Sequence, residues 1–339
     1  MRLAVCMPQV PFERGGTEVF AEGLVRALRE HGHETELVTV PFKWYPAERV
    51  LTHAFVWRLL DLEEASGRRI DAVIATKFPS YAVRHPRKVV WLLHQFRQAW
   101  DLDRTELGQF SESAEDRALR RKVLELDRIT LGEARKVFTT SSIVAGRLRD
   151  STGLDAEVLA PPPASLDFHC AAYEDFILSV NRLDRAKRID LLLEAAARVP
   201  DVRVVVAGDG PDRERLEQLA SERVDFVGRV SDDELADLYA RCLGVYYAPV
   251  NEDYGLVPFE AFLSEKPVVT TTDAGGPLDI VRDRETGLVV APTVEELARA
   301  CVWLRDHAEE ARVLGRAGRD IACAVTWDSC IERLLAGVR

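Results

Sequence analysis

Short apolar segments of strand length alternate with amphipathic helical segments along the whole chain of 339 residues. The strand-like segments of the first half are Leu3–Met7, Thr35–Val40, Ile70–Ala75, Val89–Leu93, Val137–Thr140 and Ala156–Ala160. Those of the second half are Phe176–Val180, Val202–Ala207, Val224–Val227, Gly244–Ala248, Val268–Thr271 and Leu288–Ala291. Because strands separated by helices pair in parallel as βαβ units, the pattern predicts an α/β fold with two successive halves of the same plan.

The boundary between the halves lies at a run of three prolines, Pro161 to Pro163. Proline lacks a backbone N–H and has a fixed φ, so the run favours a stiff, extended connector. The length of the chain also exceeds that of a usual single core. We therefore predict two Rossmann-like domains, residues 1–163 and residues 164–325, followed by a C-terminal helix in residues 326–339.

Composition excludes several functional classes. A net charge of −11 argues against nucleic-acid binding, and no apolar run approaches the roughly 20 residues that cross a bilayer. The first residues resemble a buried strand that stops at Pro8, not a signal peptide. The six cysteines form no CxxC pair, so neither a zinc site nor a disulfide framework is indicated. We expect a cytoplasmic protein.

The charge is unevenly distributed. Residues 1–165 hold 24 Lys and Arg against 23 Asp and Glu, and residues 166–339 hold 21 against 33. The first half contains two local basic clusters, Arg84/Arg87/Lys88 and Arg117/Arg120/Arg121/Lys122. These clusters could meet a phosphorylated acceptor or the anionic inner face of a membrane. They could equally be solvated helix faces, which is the simpler interpretation.

Glu252 and Glu260 are separated by seven residues, which include Gly255. The pattern predicts Glu252 in a turn and Glu260 about one turn into an apolar helix. A glycine lets backbone amides approach a ligand, and a helix N-terminus favours negative charge. Because carboxylates accept hydrogen bonds from sugar and ribose hydroxyls, the segment predicts a nucleotide-sugar site. Taken alone, the pair could instead be two acidic residues that merely suit the helix dipole.

A second segment follows the strand Phe176–Val180 and contains Arg182 and Lys187. Such cations can stabilise the charge that gathers on a leaving diphosphate. Arginine provides a planar fork of donors and lysine a point charge, so the pair suits a pyrophosphate. A basic helix cap on the surface is the alternative, and Arg185 and Arg188 are expected to face solvent.

Two glycine turns have different interpretations. Gly15 and Gly16 follow the first strand, where paired glycines allow backbone N–H groups to approach an anion. They form no G-x-G-x-x-G fingerprint and could be a simple tight turn. Gly208 and Gly210 also follow a strand, but Arg213 occupies the last glycine position, so we interpret this segment as a structural turn.

His94 ends an apolar strand of the first half, where doubly wound folds place ligand contacts. Arg97 follows three residues later and could meet an acceptor. A lone histidine at a strand end is more often structural.

Taken as a set, these segments resemble glycosyltransferase family 4. Glu252 and Glu260 resemble its E-x7-E motif, and Arg182 with Lys187 resembles its R-L-x3-4-K element. Gly15 and Gly16 are similar to its GG(T/A)E turn. The segments around Gly228 and Gly275 resemble further family elements, whereas Asn181 and Asp279 depart from the usual Gly and Glu.

The resemblance implies a GT-B fold, in which two Rossmann-like domains face each other across a cleft and the C-terminal helix crosses back to the first domain. It implies catalytic roles for His94, Arg182, Lys187 and Glu252. The implied donor-binding residues are Gly15, Gly16, Asn181, Gly228, Val230, Asp253, Tyr254, Gly255, Leu256, Val257, Glu260 and Gly275. The implied acceptor-binding residues are Glu13 and Arg97. No metal is expected, because the sequence has no paired-aspartate site.

The function implied is a retaining hexosyltransferase that moves a sugar, with mannose as a candidate, from a nucleotide sugar to an acceptor hydroxyl. A GDP-sugar is slightly favoured over a UDP-sugar. The acceptor is a glycan, a glycolipid or a small molecule in polysaccharide or glycolipid synthesis, with peripheral membrane contact as an option. The alternatives are a nucleotide-sugar epimerase of the same fold and a non-catalytic nucleotide-sugar-binding subunit of a transferase complex.

Overall fold

A computed structural model of the protein describes residues 1–13, 15–105, 108–163, 168–199 and 201–338. The chain divides into two compact units. One unit comprises Met1–Ala164 together with Thr326–Arg339, and the other comprises Ser165–Val325. Arg14, a neighbour of the predicted Gly15 turn, and residues 164–167 after the proline run lie outside the described residues.

The described part of the first unit contains a parallel six-stranded sheet in the order β2-β1-β5-β6-β7-β8. The strands are β1 (Arg2–Gln9), β2 (Glu34–Pro41), β3 (Glu64–Ala65), β4 (Arg68–Arg69), β5 (Ala72–Ala75), β6 (Lys88–Leu92), β7 (Lys136–Thr139) and β8 (Glu157–Val158). The helices are α1 (Gly16–Glu30), α2 (Arg49–Leu59), α3 (Ala114–Gly132) and α4 (Ser142–Thr152). The exposed hairpin β3–β4 was not predicted, because its Glu and Arg residues show no apolar alternation.

The second unit, as far as it is described, contains another parallel six-stranded sheet, ordered β11-β10-β9-β12-β13-β14. Its strands are β9 (Phe176–Val180), β10 (Arg203–Ala207), β11 (Val224–Gly228), β12 (Gly244–Tyr246), β13 (Val268–Thr271) and β14 (Gly287–Val290). Its helices are α5 (Ile189–Ala197), α6 (Arg213–Leu219), α7 (Asp232–Arg241), α8 (Val257–Leu263), α9 (Val294–Asp306) and α10 (Ala308–Cys323). A final helix, α11 (Trp327–Ala336), belongs to the first unit.

Both sheets confirm the predicted α/β class, and every predicted strand coincides with an observed one to within a few residues. The strand order of the second sheet is that of the doubly wound dinucleotide-binding fold. Its order reverses between β9 and β12, where folds of this kind bind ligands beyond the carboxyl ends of the strands.

The C-terminal helix packs on the first unit, as predicted. Ile331 and Leu334 of α11 are buried in the same apolar cluster as Phe20 of α1. The ring of Trp327 lies 6.4 Å from that of Phe20, centroid to centroid, and contacts the backbone of α1 at Gly23. Burial of each of the two aliphatic side chains is worth roughly 1.5–3 kcal/mol, so α11 is a structural part of this unit.

Lys88 does not belong to a surface cluster, which corrects the expectation from the sequence. Its Nζ donates to the backbone oxygens of Tyr81, Val83 and Thr130 at 2.8–3.1 Å. It also lies 3.3 Å from the carboxylate of Glu133. Burial lowers the pKa of Lys88 to about 8, although Glu133 favours the charged form. This side chain cannot contact a membrane or an acceptor.

None of the helices in the described ranges is both long and apolar enough to span a membrane.

The turn after β10 is structural, as its sequence predicted. The backbone oxygen of Asp209 accepts from the N–H of Leu183, and the N–H of Gly208 donates to Gly228 at 2.7 Å. Gly208 has a φ of 125°, and a Cβ there would lie 1.9 Å from the backbone oxygen of Asn181. The glycine therefore allows the loops after β9 and β10 to touch.

We predict that Gly208→Ala lowers the free energy of unfolding by about 2–4 kcal/mol, through backbone strain and a backbone clash. Urea unfolding at equilibrium measures the change. Gly228→Ala is the matched control, because its φ is also positive but its Cβ would meet only the end of the Arg213 side chain, at 3.4 Å. Equal losses in the two variants would contradict the clash.

Candidate functional site

Lys187, Tyr247 and Glu252 form a cluster near the carboxyl end of β12. Lys187 lies in a short 3-10 turn that precedes α5, and its Nζ donates to Glu252 Oε2. The Tyr247 hydroxyl lies 3.4 Å from the same oxygen, and Lys187 Nζ is 5.6 Å from the centre of the Tyr247 ring. Burial acts to lower the pKa of Lys187, whereas Tyr247 and Glu252 act to raise it. The second effect is larger, so the pKa of the lysine is raised. The cluster is therefore a lysine cation paired with a carboxylate.

Glu260 is held by a different tyrosine. It lies in α8, and its Oε2 accepts a hydrogen bond of 2.7 Å from the hydroxyl of Tyr239 in α7. Burial raises the pKa of Glu260, while the Tyr239 hydrogen bond acts in the opposite direction. This carboxylate therefore already has one donor and retains further lone pairs for ligand hydroxyls.

Tyr247 links the two glutamates electrostatically. Its pKa is raised mainly by burial, and the charges of Glu252 and Glu260 both add to the effect. Tyr247 thus lies next to Glu252 and against Gly255, which precedes the helix that contains Glu260.

Arg182 is an exposed cation on the loop after β9. Its side chain has no ion pair or hydrogen bond with any residue in the part of the chain that the structure describes. The preceding Asn181 is buried, and its amide donates to Ser179 Oγ at 3.1 Å. Arg182 therefore has its donors available for an anion, whereas Asn181 has a structural contact.

Backbone contacts position the Glu252 turn. The N–H of Glu252 donates to Ala274 and its backbone oxygen accepts from Gly276, both at 2.8 Å. Gly275 has a φ of 83°, and a Cβ there would lie 2.5 Å from the backbone oxygen of Glu252. Gly275, predicted as a donor-binding residue, thus supports the turn that holds the first glutamate.

The remaining predicted donor residues of this unit lie in two places. Asp253, Tyr254, Gly255, Leu256 and Val257 form the entry to α8, with Leu256 as its N-cap. A Cβ at Gly255 would lie 2.6 Å from the ring of Tyr247, so this entry passes directly over that ring.

Gly228 and Val230 lie at the end of β11, next to the N-cap Ser231 of α7. The N-cap forms a capping box with Glu234. No contact in the described residues links Gly228 or Val230 to either glutamate.

Arg188 does not face solvent, contrary to the sequence-based expectation. Its guanidinium donates to the backbone oxygens of Ala248 and Pro249 and to Thr271, and it pairs with Asp273 at 2.8 Å. Arg188 thereby joins the loops after β12 and β13. Arg185 is exposed, as expected.

In the first unit, His94 and Arg97 lie on the loop after β6. His94 Nδ1 is 2.7 Å from the backbone oxygen of Gln95, and Arg97 pairs with Asp101 at 2.8 Å. Arg97 therefore already has a carboxylate partner, which Arg147 also approaches at 3.5 Å, and the pairing occupies part of its donors.

This loop is anchored by the buried carboxylate of Asp127 in α3. Asp127 accepts from Tyr81 Oη at 2.7 Å, from Trp100 Nε1 at 2.7 Å and from Gln95 Nε2 at 3.3 Å. Burial raises its pKa to about 7, although the three hydrogen bonds oppose the shift. Because Gln95 and Trp100 flank His94 and Arg97, Asp127 fixes the position of both candidates.

The glycine turn of the first unit lies at the start of α1. Gly15 is the N-cap, and its N–H donates to Glu18 Oε2 at 2.9 Å, whereas Gly16 begins the helix. Lys77, which follows β5, donates to Thr17 Oγ1 at 3.0 Å. Lys77 Nζ also lies 3.9 Å from the Glu18 carboxylate, so Glu18 interacts with both the Gly15 N–H and the cation beside the turn.

Glu13, a predicted acceptor contact, is exposed before that turn.

Four side chains that contribute to these sites were not assigned such roles from the sequence: Lys77, Asp127, Tyr239 and Tyr247. Only the structure shows that the hydroxyl of Tyr239 donates to Glu260, because the two residues are 21 positions apart in the sequence. Asp127 is a single acidic residue on a helix, with no local signal of burial. Lys77 is the second of two polar residues that follow the apolar strand β5, and this position is a signal that could have identified it.

Among the described residues, no group of three His, Cys, Asp or Glu side chains is arranged to hold a metal ion.

Residues 171–321 match the family model described as "Glycosyl transferases group 1". The D-inositol 3-phosphate glycosyltransferase of Mycobacterium tuberculosis (strain H37Rv) is 30% identical over 240 residues, which are 63% of this chain and 49% of the relative. The chain spans about half the length of the curated relatives it matches. The family match covers every candidate donor residue of the second unit and supports a glycosyltransferase.

Solved structures resemble the chain over almost its whole length. Sucrose-phosphate synthase from Thermosynechococcus elongatus has a TM-score of 0.77 at 21% identity, covering 98% of this chain and 96% of its own. Anabaena Alr3699/HepE, solved in complex with UDP-glucose, has a TM-score of 0.72 at 17% identity, covering 99% and 98%. At this level of identity the likeness shows the fold alone, and it confirms the GT-B class.

We predict that Asp127 destabilises the folded protein progressively as the pH rises from about 4 to 7. The folded protein retains a proton on this carboxyl up to about pH 7, whereas the ordinary value is 3.8. In this window the unfolded chain binds fewer protons, so each pH unit lowers the free energy of unfolding by up to about 1.4 kcal/mol.

Urea unfolding of the wild type and of Asp127→Asn at pH 5 and pH 7 measures this effect, since the amide cannot titrate. We expect the stability of the wild type relative to the variant to decrease between the two pH values. Parallel pH profiles would show that Asp127 does not titrate as proposed.

Proposed function

We propose that the protein transfers a sugar from a nucleotide sugar to an acceptor hydroxyl. One observation carries the proposal: the fold brings Glu252, on the loop after β12, into contact with Lys187, which shares the loop after β9 with the exposed Arg182, and Glu260 follows in α8. These groups match the chemistry of a donor that has sugar hydroxyls, a diphosphate and a ribose.

Each polar group has a role in this scheme. Glu252 and the amides of the α8 entry would hold sugar hydroxyls, and Glu260 would accept from the ribose. Arg182, whose donors are available, would bind the diphosphate directly. Lys187 now donates to Glu252. When the donor binds, Lys187 would donate in part to a phosphate oxygen instead, because Glu252 and the diphosphate would both lie within its reach.

The reaction would proceed with retention at the anomeric carbon, as the resemblance to family 4 implies. No carboxylate of the site is an obvious nucleophile, because Glu252 is paired with Lys187 and Glu260 with Tyr239. The leaving phosphate would then take the proton of the acceptor hydroxyl on the face from which it departs. Arg182 and Lys187 would stabilise its charge without a metal ion, and His94 would order the reacting groups.

The donor and acceptor follow from different observations. The residues around His94 and Glu252 favour a GDP-sugar, with mannose as the candidate hexose, whereas Alr3699/HepE was solved with UDP-glucose. The matched D-inositol 3-phosphate glycosyltransferase is named for a phosphorylated acceptor. We propose a polyol or glycan acceptor and include phosphorylated polyols, because the name of that relative points to one.

We predict that Arg182→Ala and Glu260→Gln each lower kcat/KM at least about tenfold, because one charge-assisted contact is worth roughly 1.5–3 kcal/mol. Glutamine preserves an acceptor for the buried hydroxyl of Tyr239, so that variant should fold. The readout is release of nucleoside diphosphate from GDP- and UDP-sugars in the presence of candidate acceptors.

Arg185→Ala is the matched control, because it removes an exposed arginine three residues along the same loop. Rates near that of the wild type in a folded Arg182 or Glu260 variant would refute the role of that residue. A donor converted without any acceptor would point to the epimerase alternative instead.

A further inference from the structure

A cysteine and a buried lysine are in contact in the second unit. Lys266 Nζ lies 3.5 Å from Cys170 Sγ. Lys266 is fully buried, whereas Cys170 is partly exposed and has a free thiol. The sulfur can therefore meet a small oxidant from solvent while the amine stays beside it.

The position of the lysine is closely determined. Its Nζ donates to the backbone oxygen of Ala172 and lies 3.6 Å from the centre of the Tyr173 ring. The Tyr173 hydroxyl in turn donates to the backbone oxygen of Glu265 at 2.5 Å. These contacts join the segment before β9 to the turn after α8, so the amine and the thiol are held together by the fold.

We propose that Cys170 and Lys266 are a modification site, at which a peroxide converts this contact into a covalent sulfur–nitrogen bond. In the first step the Cys170 thiolate attacks a peroxide oxygen and the O–O bond breaks. The sulfur loses two electrons and becomes a sulfenic acid, and the peroxide is reduced to water. In the second step the neutral Lys266 amine attacks the sulfur. The S–O bond breaks, and the hydroxide leaves as water with a proton from the nitrogen.

The environment of Lys266 favours the second step. Burial lowers the pKa of its ammonium group, although the nearby thiols Cys242 and Cys170 act in the opposite direction. A lower pKa enlarges the fraction of neutral amine at a given pH. Formation of the bond should therefore increase as the pH rises from 7 to 9, since the neutral amine of Lys266 becomes more abundant.

The bond would link residues that are 96 positions apart in the sequence. A cross-link of this length restricts the unfolded chain, so the melting temperature of the oxidised protein should rise. The bond would also restrict the motion of the backbone near Phe168. The Phe168 ring lies 5.5 Å from the ring of Tyr239, centroid to centroid, and Tyr239 donates to Glu260.

The test is peptide mass spectrometry of the whole protein after treatment with hydrogen peroxide, with alkylation of the remaining thiols. We expect a linked pair of peptides that contain Cys170 and Lys266 and together weigh two hydrogen atoms less than the reduced peptides. A thiol reductant should reverse the link. Cys242→Ser should still form it, whereas Cys170→Ser and Lys266→Arg should not.

Three outcomes would overturn the proposal, and none of them requires a lysine variant that folds. The first is a Cys170–Cys242 disulfide that disappears in Cys242→Ser. The second is a linked pair heavier by one oxygen atom, which would contradict a direct S–N bond. The third is conversion of Cys170 to sulfinic acid with no linked peptide.

Discussion

Parallel pairing of β9 with β12 is the constraint on which the candidate donor site depends. The two strands are neighbours although three helices and two strands separate them in the sequence, so their carboxyl ends open at one edge of the sheet. The loop after β9 brings Arg182 and Lys187 to that edge, and the loop after β12 brings Glu252. A different strand order would separate the cations from the carboxylate.

Charge pairing determines how these residues can be used. Lys187 and Glu252 neutralise each other, whereas Arg182 has donors available, so the site has a net attraction for an anion at Arg182. The tyrosines contribute through their hydroxyls: Tyr239 donates to Glu260, and the Tyr247 hydroxyl lies 3.4 Å from the Glu252 carboxylate. Arg188 connects the loops after β12 and β13 through its guanidinium group. The same donors would suit a phosphate, but here they serve the structure.

The sequence was sufficient for the fold class, and each predicted strand was found. Buried parallel strands can be recognised locally, because they are short apolar segments that alternate with amphipathic helices. It also singled out the E-x7-E and Arg182/Lys187 segments, because the residues of each are close in the chain; their roles stay predictions. It failed where a role depends on distant partners: Lys88 and Arg188 appear as surface cations in the sequence but meet backbone oxygens. Asp127, Tyr239 and Tyr247 gain their roles only when separate helices and loops come together.

The central claim is that the second unit binds a nucleoside diphosphate at Arg182, Lys187 and Glu260. The most direct measurement is thermal unfolding with GDP, UDP, ADP and dTDP, each with and without EDTA, on the wild type and on Glu260→Gln. The account predicts that one nucleotide stabilises the wild type by about 2.7 kcal/mol at a hundred times its Kd, regardless of EDTA and less in the variant. Absence of a shift with all four nucleotides would contradict a donor site in this unit.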